Sequence, residues 1–469
     1  MTGVVLAALA PHPPILIPEI GGKEIEQIAK TQISIRKLAE EIKEVDPDII
    51  VTISPHGPVF SDAVSILSAE NLSGDFGDFG REDVELSYKL AEKFTSELAI
   101  AANKNKITTA RIDKATARKL EVKMELDHGV LVPMYYLNEV GVNKPIVPVN
   151  IGMLSYEELY TFGKIIQLVA ERLESKVTVL ASGDLSHRLT TNAPAGYDPK
   201  AKDFDERLVH YLNTLEVENI FEMDNQLIQR AGECGLRPLT MMLGAMDRLD
   251  VDGGVLSYEG PFGVGYAVAT YRVKGKKEEV GLLDKLHKRK QDRLSQIRSN
   301  ESEIVKLARK SVEEYIKNRE VIDPPAQLEP QLAGRAGAFV SIKKNGNLRG
   351  CIGTTQATKA NLAYEIIYNA LGAAFEDPRF EPVNLNEIDE LTYAVDVLGE
   401  AESIESIEKL NPKKYGVIVR RGERAGLLLP DLEGIDTAKK QVEIAKRKAG
   451  IPIEEEDIEL MRFTVTRYK

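Results

Sequence analysis

Apolar and polar positions alternate along the first 270 residues in a recurring order: a short apolar run, then a longer amphipathic stretch. Residues 4–10 form the first apolar run and predict a strand, followed by a helix over about 23–45. Residues 48–54 (DIIVTIS) are an unbroken, β-branched run, the mark of a strand buried on both faces. A charged helix is expected near 82–103, then strands at 107–112 and 145–151, a helix at 156–173 and a strand at 177–182. Two Gly-bounded strands near 254–258 and 265–271 would close the unit. Strands and helices alternating at these lengths predict an α/β domain with a largely parallel sheet flanked by helices.

The pattern then changes. The stretch 274–298 is rich in Lys and Arg and reads as a solvated helical linker or a docking surface for an acidic partner. The expected organisation is a domain over 1–272, a basic linker over 273–299 and a second domain over 300–469. The second unit opens with a helix at about 301–318. Its heart is a hairpin signal, strands 338–343 and 347–352 around Asn345-Gly346. A helix at 360–375, strands at 391–398, 416–421 and 427–429, a helix at 437–449 and a strand at 460–466 predict a smaller α+β fold.

Composition narrows the function classes. Of 469 residues, 43% are hydrophobic and 29% charged, an ordinary globular balance. The net charge of −12 argues against a general nucleic-acid binder, which needs a basic surface. No run of about 18 uncharged apolar residues suggests a membrane span. The N-terminus lacks a basic region and carries Pro11, Pro13 and Pro14, so it reads as a strand and loop, not a signal peptide, and a cytoplasmic location is expected. Two cysteines far apart, Cys234 and Cys351, exclude a disulfide framework.

The chain has six histidines, and their placement is informative. His12 (ALAPHPP), His56 (TISPHGP) and His187 (ASGDLSH) each follow an expected strand. Ligands bind open α/β sheets beyond the carboxyl ends of parallel strands, so the three point to a shared site. A proline before His12 and before His56 stiffens the backbone that aims each ring. Imidazole suits zinc, iron and copper, and a third ligand is needed. AGECGLRP offers Glu233 and Cys234 before an apolar helix at about 236–246, where the helix dipole and Arg237 favour a thiolate; the alternative is a buried structural cysteine. Asp184 either orients an imidazole or caps its loop. His128, in LDHGVLVPMYYL, opens a helix near the same face, as cap or as catalytic group. His210 and His287 sit on charged helices and are expected to face solvent.

Taken together, PHPP, TISPHGP, DHGVLVPMYYL and SGDLSH resemble the class III extradiol ring-cleavage dioxygenases of the LigB-like type, over residues 1–272. The resemblance implies non-haem Fe(II) held by His12 and His56 with a carboxylate, leaving open positions for a catechol and dioxygen. It implies that His187 is the acid/base and that His128 stabilises substrate oxygens. Counted from the helix ending LGA, the family's carboxylate position falls at Cys234, a feature similar to the MEMO branch of the superfamily. A thiolate favours iron in another electronic state, or copper. Glu233 is the alternative ligand.

LRGCIGT (348–354), AAFEDPRFEPV (373–383) and GLLLP (426–430) resemble the AMMECR family over about 300–469. There Arg349 would make Cys351 a reactive thiol, or Cys351 is a small buried hydrophobe. Proteins of this type occur alongside MEMO-like and radical-SAM proteins, so the resemblance implies a radical-SAM partner. The functional expectation is an iron-dependent oxidoreductase acting on a small phenolic or catechol-like substrate with O2, with a homo-oligomer admitted. Its rivals are a non-catalytic peptide- or ligand-binding scaffold and a zinc-dependent hydrolase on the same ligands.

Overall fold

The computed structural model describes residues 2–432 and 434–469, and the chain divides into two compact units, Met1–His287 and Lys288–Lys469. The division falls inside one helix, Leu282–Ser299, which carries most of the basic stretch; Lys274 and Lys276 belong to the strand before it.

The strands of the first unit are β1 (Gly3–Ala10), β2 (Ile49–Ser54), β3 (Val64–Leu67), β4 (Asn71–Phe76), β5 (Arg81–Lys89), β6 (Thr109–Ile112), β7 (Ile146–Asn150), β8 (Lys176–Ser182), β9 (Leu249–Glu259) and β10 (Tyr266–Lys276). Eight of them form one mixed sheet in the order β6-β3-β7-β2-β8-β1-β10-β9. Its centre is parallel as expected: β7, β2, β8 and β1 all run one way. The β3/β7, β1/β10 and β10/β9 junctions are antiparallel.

Strand β1 shows why the sheet sits in the middle of the unit. All eight of its residues are buried. Val4, Ala7 and Leu9 join one core, and Leu6, Ala8 and Ala10 join the other. Helices Glu92–Lys104, Tyr156–Arg172 and Leu236–Ala245 cover the first face; Ala29–Val45 and His128–Glu139 cover the second. A strand buried on both faces has no polar side to alternate, hence its continuous apolar sequence.

The sequence reading erred at 82–103. Residues 81–89 form β5, which pairs with β4 in a separate two-stranded sheet, and the helix begins only at Glu92. Val84, Leu86 and Tyr88 alternate with charged or polar neighbours, a period of two that the high charge obscured. Strands β3 and β4 and the short helices Val217–Phe221 and Asn225–Ala231 had no counterpart among the expected elements, whereas His210 lies on a charged helix, Ala201–Thr214, as expected. Residues 22–28 form a 3-10 turn ahead of the helix expected from 23.

The second unit holds two four-stranded antiparallel sheets. One contains β11 (Ala338–Lys344), β12 (Asn347–Gly353), β13 (Leu391–Leu398) and β18 (Val465–Tyr468) in the order β12-β11-β13-β18. Asn345 and Gly346 have φ of 53° and 82°, the left-handed pair that a tight hairpin needs. Helices Glu303–Asn318 and Leu362–Phe375 pack on this sheet through Ile304, Leu307 and Ile366. The other sheet contains β14 (Glu402–Ile404), β15 (Gly416–Arg421), β16 (Arg424–Leu428) and β17 (Glu459–Phe463), ordered β14-β17-β15-β16 and covered by helix Ala438–Lys448 through Val417, Val419 and Val442. The single strand expected at 460–466 is interrupted at Thr464 and contributes to both sheets.

Candidate metal centre

The carboxyl ends of three adjacent parallel strands, β2, β8 and β1, supply the site. Ala10 of β1 lies opposite Ser182 of β8, so the loops carrying His12 and Asp184 leave the sheet side by side. His12 is 2% exposed. Its backbone N–H donates to Asp184 Oδ1 at 3.0 Å, and its Nδ1 is 2.9 Å from Ser182 Oγ. With Nδ1 protonated toward Ser182, the Nε2 lone pair is left free. That Nε2 lies 2.9 Å from His56 Nε2, 3.6 Å from Cys234 Sγ and 3.8 Å from Asp184 Oδ2.

His56 and His128 are set by a polar clasp. Asp127 caps helix His128–Glu139: its Oδ1 accepts the Gly129 N–H at 2.8 Å and the Ser54 hydroxyl at 2.5 Å. Ser54 Oγ in turn accepts the His56 N–H at 3.2 Å. The end of β2 is thereby tied to the helix, and the His56 and His128 rings stack with centroids 4.3 Å apart. Gly129 permits this approach, because a Cβ there would lie 2.4 Å from Ser54 Oγ. A second close approach involves Gly183, whose added Cβ would lie 2.3 Å from Gly235 Cα. It brings the Asp184–His187 loop against the residues that precede helix Leu236–Ala245. There Cys234 Sγ lies 3.9 Å from His187 Nε2, which is itself 4.0 Å from Asp184 Oδ2.

Two overlapping sets of donor atoms result, each within 4.8 Å: His12, His56 and His128, and His12, Asp184 and Cys234. The surroundings of these groups disfavour their charged forms. Burial, then the neighbouring imidazoles, holds His12 well below the usual histidine value, and burial lowers His56 to about 4. Burial also lowers His128 and His187. Burial raises Asp184 to about 7. Cys234 is pushed up by burial and then by the Asp184 charge, so the helix-end thiolate expected from the sequence is outweighed. A divalent cation would bind the imidazoles in the neutral form they already hold, and would favour the deprotonated acid and thiol that burial disfavours. The nitrogen, oxygen and sulfur donors therefore fit a borderline transition metal.

The remaining residues singled out in the sequence lie apart from this cluster. Glu233 Oε2 accepts the Leu236 N–H at 2.6 Å, so its carboxylate is engaged in capping the helix. Cys351 is in the second unit, on β12; its Sγ is 3.3 Å from Ser341 Oγ and its N–H donates to Asp377 Oδ2 at 2.8 Å. Arg349 donates to Glu387 at 2.8 and 3.1 Å. His210 and His287 are largely exposed, near Glu216 and Glu157. Ser54, Asp127 and Ser182 were not anticipated; only Asp127, the residue before an apolar helix, carried a local signal.

A cavity of about 680 Å3 opens beside the cluster, lined by His56 and His128 and, on the other side, by the turn Gly77–Phe79. The Phe79 ring meets His128 edge-on at 5.3 Å. Among the described residues no helix is long and apolar enough to cross a membrane.

Comparison with known proteins agrees with this architecture. Residues 6–269 match the family model described as the catalytic LigB subunit of aromatic ring-opening dioxygenase, and residues 305–468 match AMMECR1. A protein of Clostridium acetobutylicum is 38% identical over 463 residues, covering 98% of each chain. A Thermotoga maritima protein is 52% identical over 167 residues, 35% of this chain and 96% of its own. Among solved structures, an uncharacterized protein from Pyrococcus horikoshii is 34% identical, covering 35% of this chain and 88% of that one, with a TM-score of 0.34. The chain belongs to the family of the catalytic LigB subunit of aromatic ring-opening dioxygenases and carries an AMMECR1 domain behind its LigB domain.

Proposed function

We propose that the first domain is a metal-dependent oxidoreductase, with Fe(II) as its metal, acting on a small phenolic or catechol-like substrate with O2. The observation that carries this reading is the meeting at His12 of two donor sets, one with His56 and His128 and the other with Asp184 and Cys234, beside an open cavity. His12 and His56 would hold the metal together with Cys234, and Asp184 stands within reach of the same position. The bound metal would supply a Lewis-acid and redox centre at which a diol and dioxygen meet. His187, across from Cys234, would take a proton from the substrate hydroxyl and return it, a task suited to an imidazole held neutral. His128 faces the cavity and would donate to substrate oxygens.

The thiol of Cys234 favours one second reading, a zinc-dependent hydrolase, because zinc accepts sulfur and nitrogen together. We also propose a cytoplasmic location and a radical-SAM protein that shares its pathway, the latter resting on the fusion of the two domains. Oxygen consumption by Fe(II)-loaded protein over a panel of catechols and phenols tests the reading: substrate-dependent uptake supports it, and none across the panel contradicts it.

A further inference from the structure

The cavity beside His56 and His128 is charged in a way the proposed chemistry leaves unused. Its volume of about 680 Å3 lies in the range of roughly 300–1,000 Å3 usual for small-molecule sites. Asp75, Asp78, Glu82 and Glu125 line it, and Lys123 is the one Lys or Arg among its described lining residues. The Lys123 ammonium is already 3.5 Å from Asp78 Oδ2. Asp75 is occupied in the turn, accepting the Gly77 N–H at 2.7 Å. The side-chain carboxylates of Glu82 and Glu125 have neither a hydrogen-bond nor an ion-pair partner among the described residues. Deeper in, Asp127 Oδ2 is shielded from solvent and lacks a partner, although Oδ1 of the same carboxylate makes two hydrogen bonds.

The cavity thus combines an aromatic edge at Phe79, two imidazoles and a surplus of carboxylates. A cleft lined by one sign of charge focuses its field and concentrates ligands of the opposite sign. We propose that it selects aromatic diols bearing a cationic substituent and discriminates against those bearing a carboxylate. This rests on the reading of the site as one for a small phenolic or catechol-like molecule, and adds the charge of that molecule. A protonated amine would sit toward Glu82 and Glu125 while the ring lies by Phe79 and the hydroxyls reach His56 and His128.

Dopamine and 3,4-dihydroxybenzoate share the catechol ring and differ in the sign of their charge, so they isolate the effect. Binding of each to the metal-free full-length protein, by calorimetry without oxygen, should favour dopamine by about tenfold or more at low salt. The ratio should shrink toward unity at high salt and in the Glu82→Gln/Glu125→Gln double variant, whose melting temperature should match the parent. Equal affinities, or preference for the benzoate, would overturn the charge inference and leave the reading of the site intact. Failure of both to bind, to metal-free and to Fe(II)-loaded protein alike, would overturn that reading together with the inference.

Discussion

His12 and His56 are 44 positions apart in sequence, yet their Nε2 atoms lie 2.9 Å apart at the ends of β1 and β2. The strand β8 separates those strands, and its own carboxyl end brings Asp184 under the His12 backbone. Two imidazole nitrogens facing each other at this distance share a single proton or a cation, and the donor groups around them make a cation the natural occupant.

Ser182 sets the orientation of His12. Replacing it by alanine removes the acceptor for Nδ1 and lets the ring choose the other tautomer. Partners of this kind are worth about 10–100-fold in metal affinity. Ser182→Ala should weaken metal binding by that order while leaving the melting temperature of the metal-free protein close to that of the parent; competition with a chelating dye measures it.

His187 separates proton transfer from metal binding. His187→Ala should retain the metal and lose turnover by roughly 10²-fold or more, the scale of a general acid or base. Loss of the metal in this variant would make His187 a ligand instead. Metal content and oxygen uptake on the same preparation decide between the two.

Gly183→Ala should disturb the site through the backbone. The new Cβ would meet Gly235 Cα at 2.3 Å. Relief requires the Asp184–His187 loop to move away from Cys234. Overpacking of this kind destabilises by about 1–3 kcal/mol, and metal affinity should fall alongside. Urea unfolding and metal titration report the two effects.

In the second unit, Asp377 predicts an acid sensitivity. Its hydrogen bonds from Arg379 and from the Cys351 N–H hold its carboxyl well below the usual range. Between that depressed value and the unfolded value of about 3.9 the unfolded chain binds the extra proton, so the stabilisation is complete above about pH 4 and is lost as pH falls further. Asp377→Asn should therefore lower the melting temperature at pH 7, with the gap to the parent narrowing below pH 4. A gap independent of pH would contradict this.

Much of the molecule was legible because two-sided burial writes itself as unbroken apolar runs. Strand β2 was visible in DIIVTIS, and with β1 and β8 it placed His12, His56 and His187 at one sheet edge. The hairpin of Asn345-Gly346 was equally plain, since few other residues adopt two successive positive φ values. What sequence hid depends on register and on charge. Nothing local says that Ser182 faces His12, because that follows from pairing Ala10 with Ser182 across two chain-distant strands. Strand β5 carries charge on its open side, and that polarity masked the buried Leu86 and Tyr88. The break at Thr464 is set by the two sheets it joins, which no local property of the stretch 460–466 reveals.

The most direct test is the metal content of protein purified without oxygen, by elemental analysis, with His56→Ala purified in parallel. The account predicts about one equivalent of iron per chain, lost in the variant. Zinc held through His56 would instead support the hydrolase. Little metal in either protein would contradict the claim that these converging histidines form a metal centre.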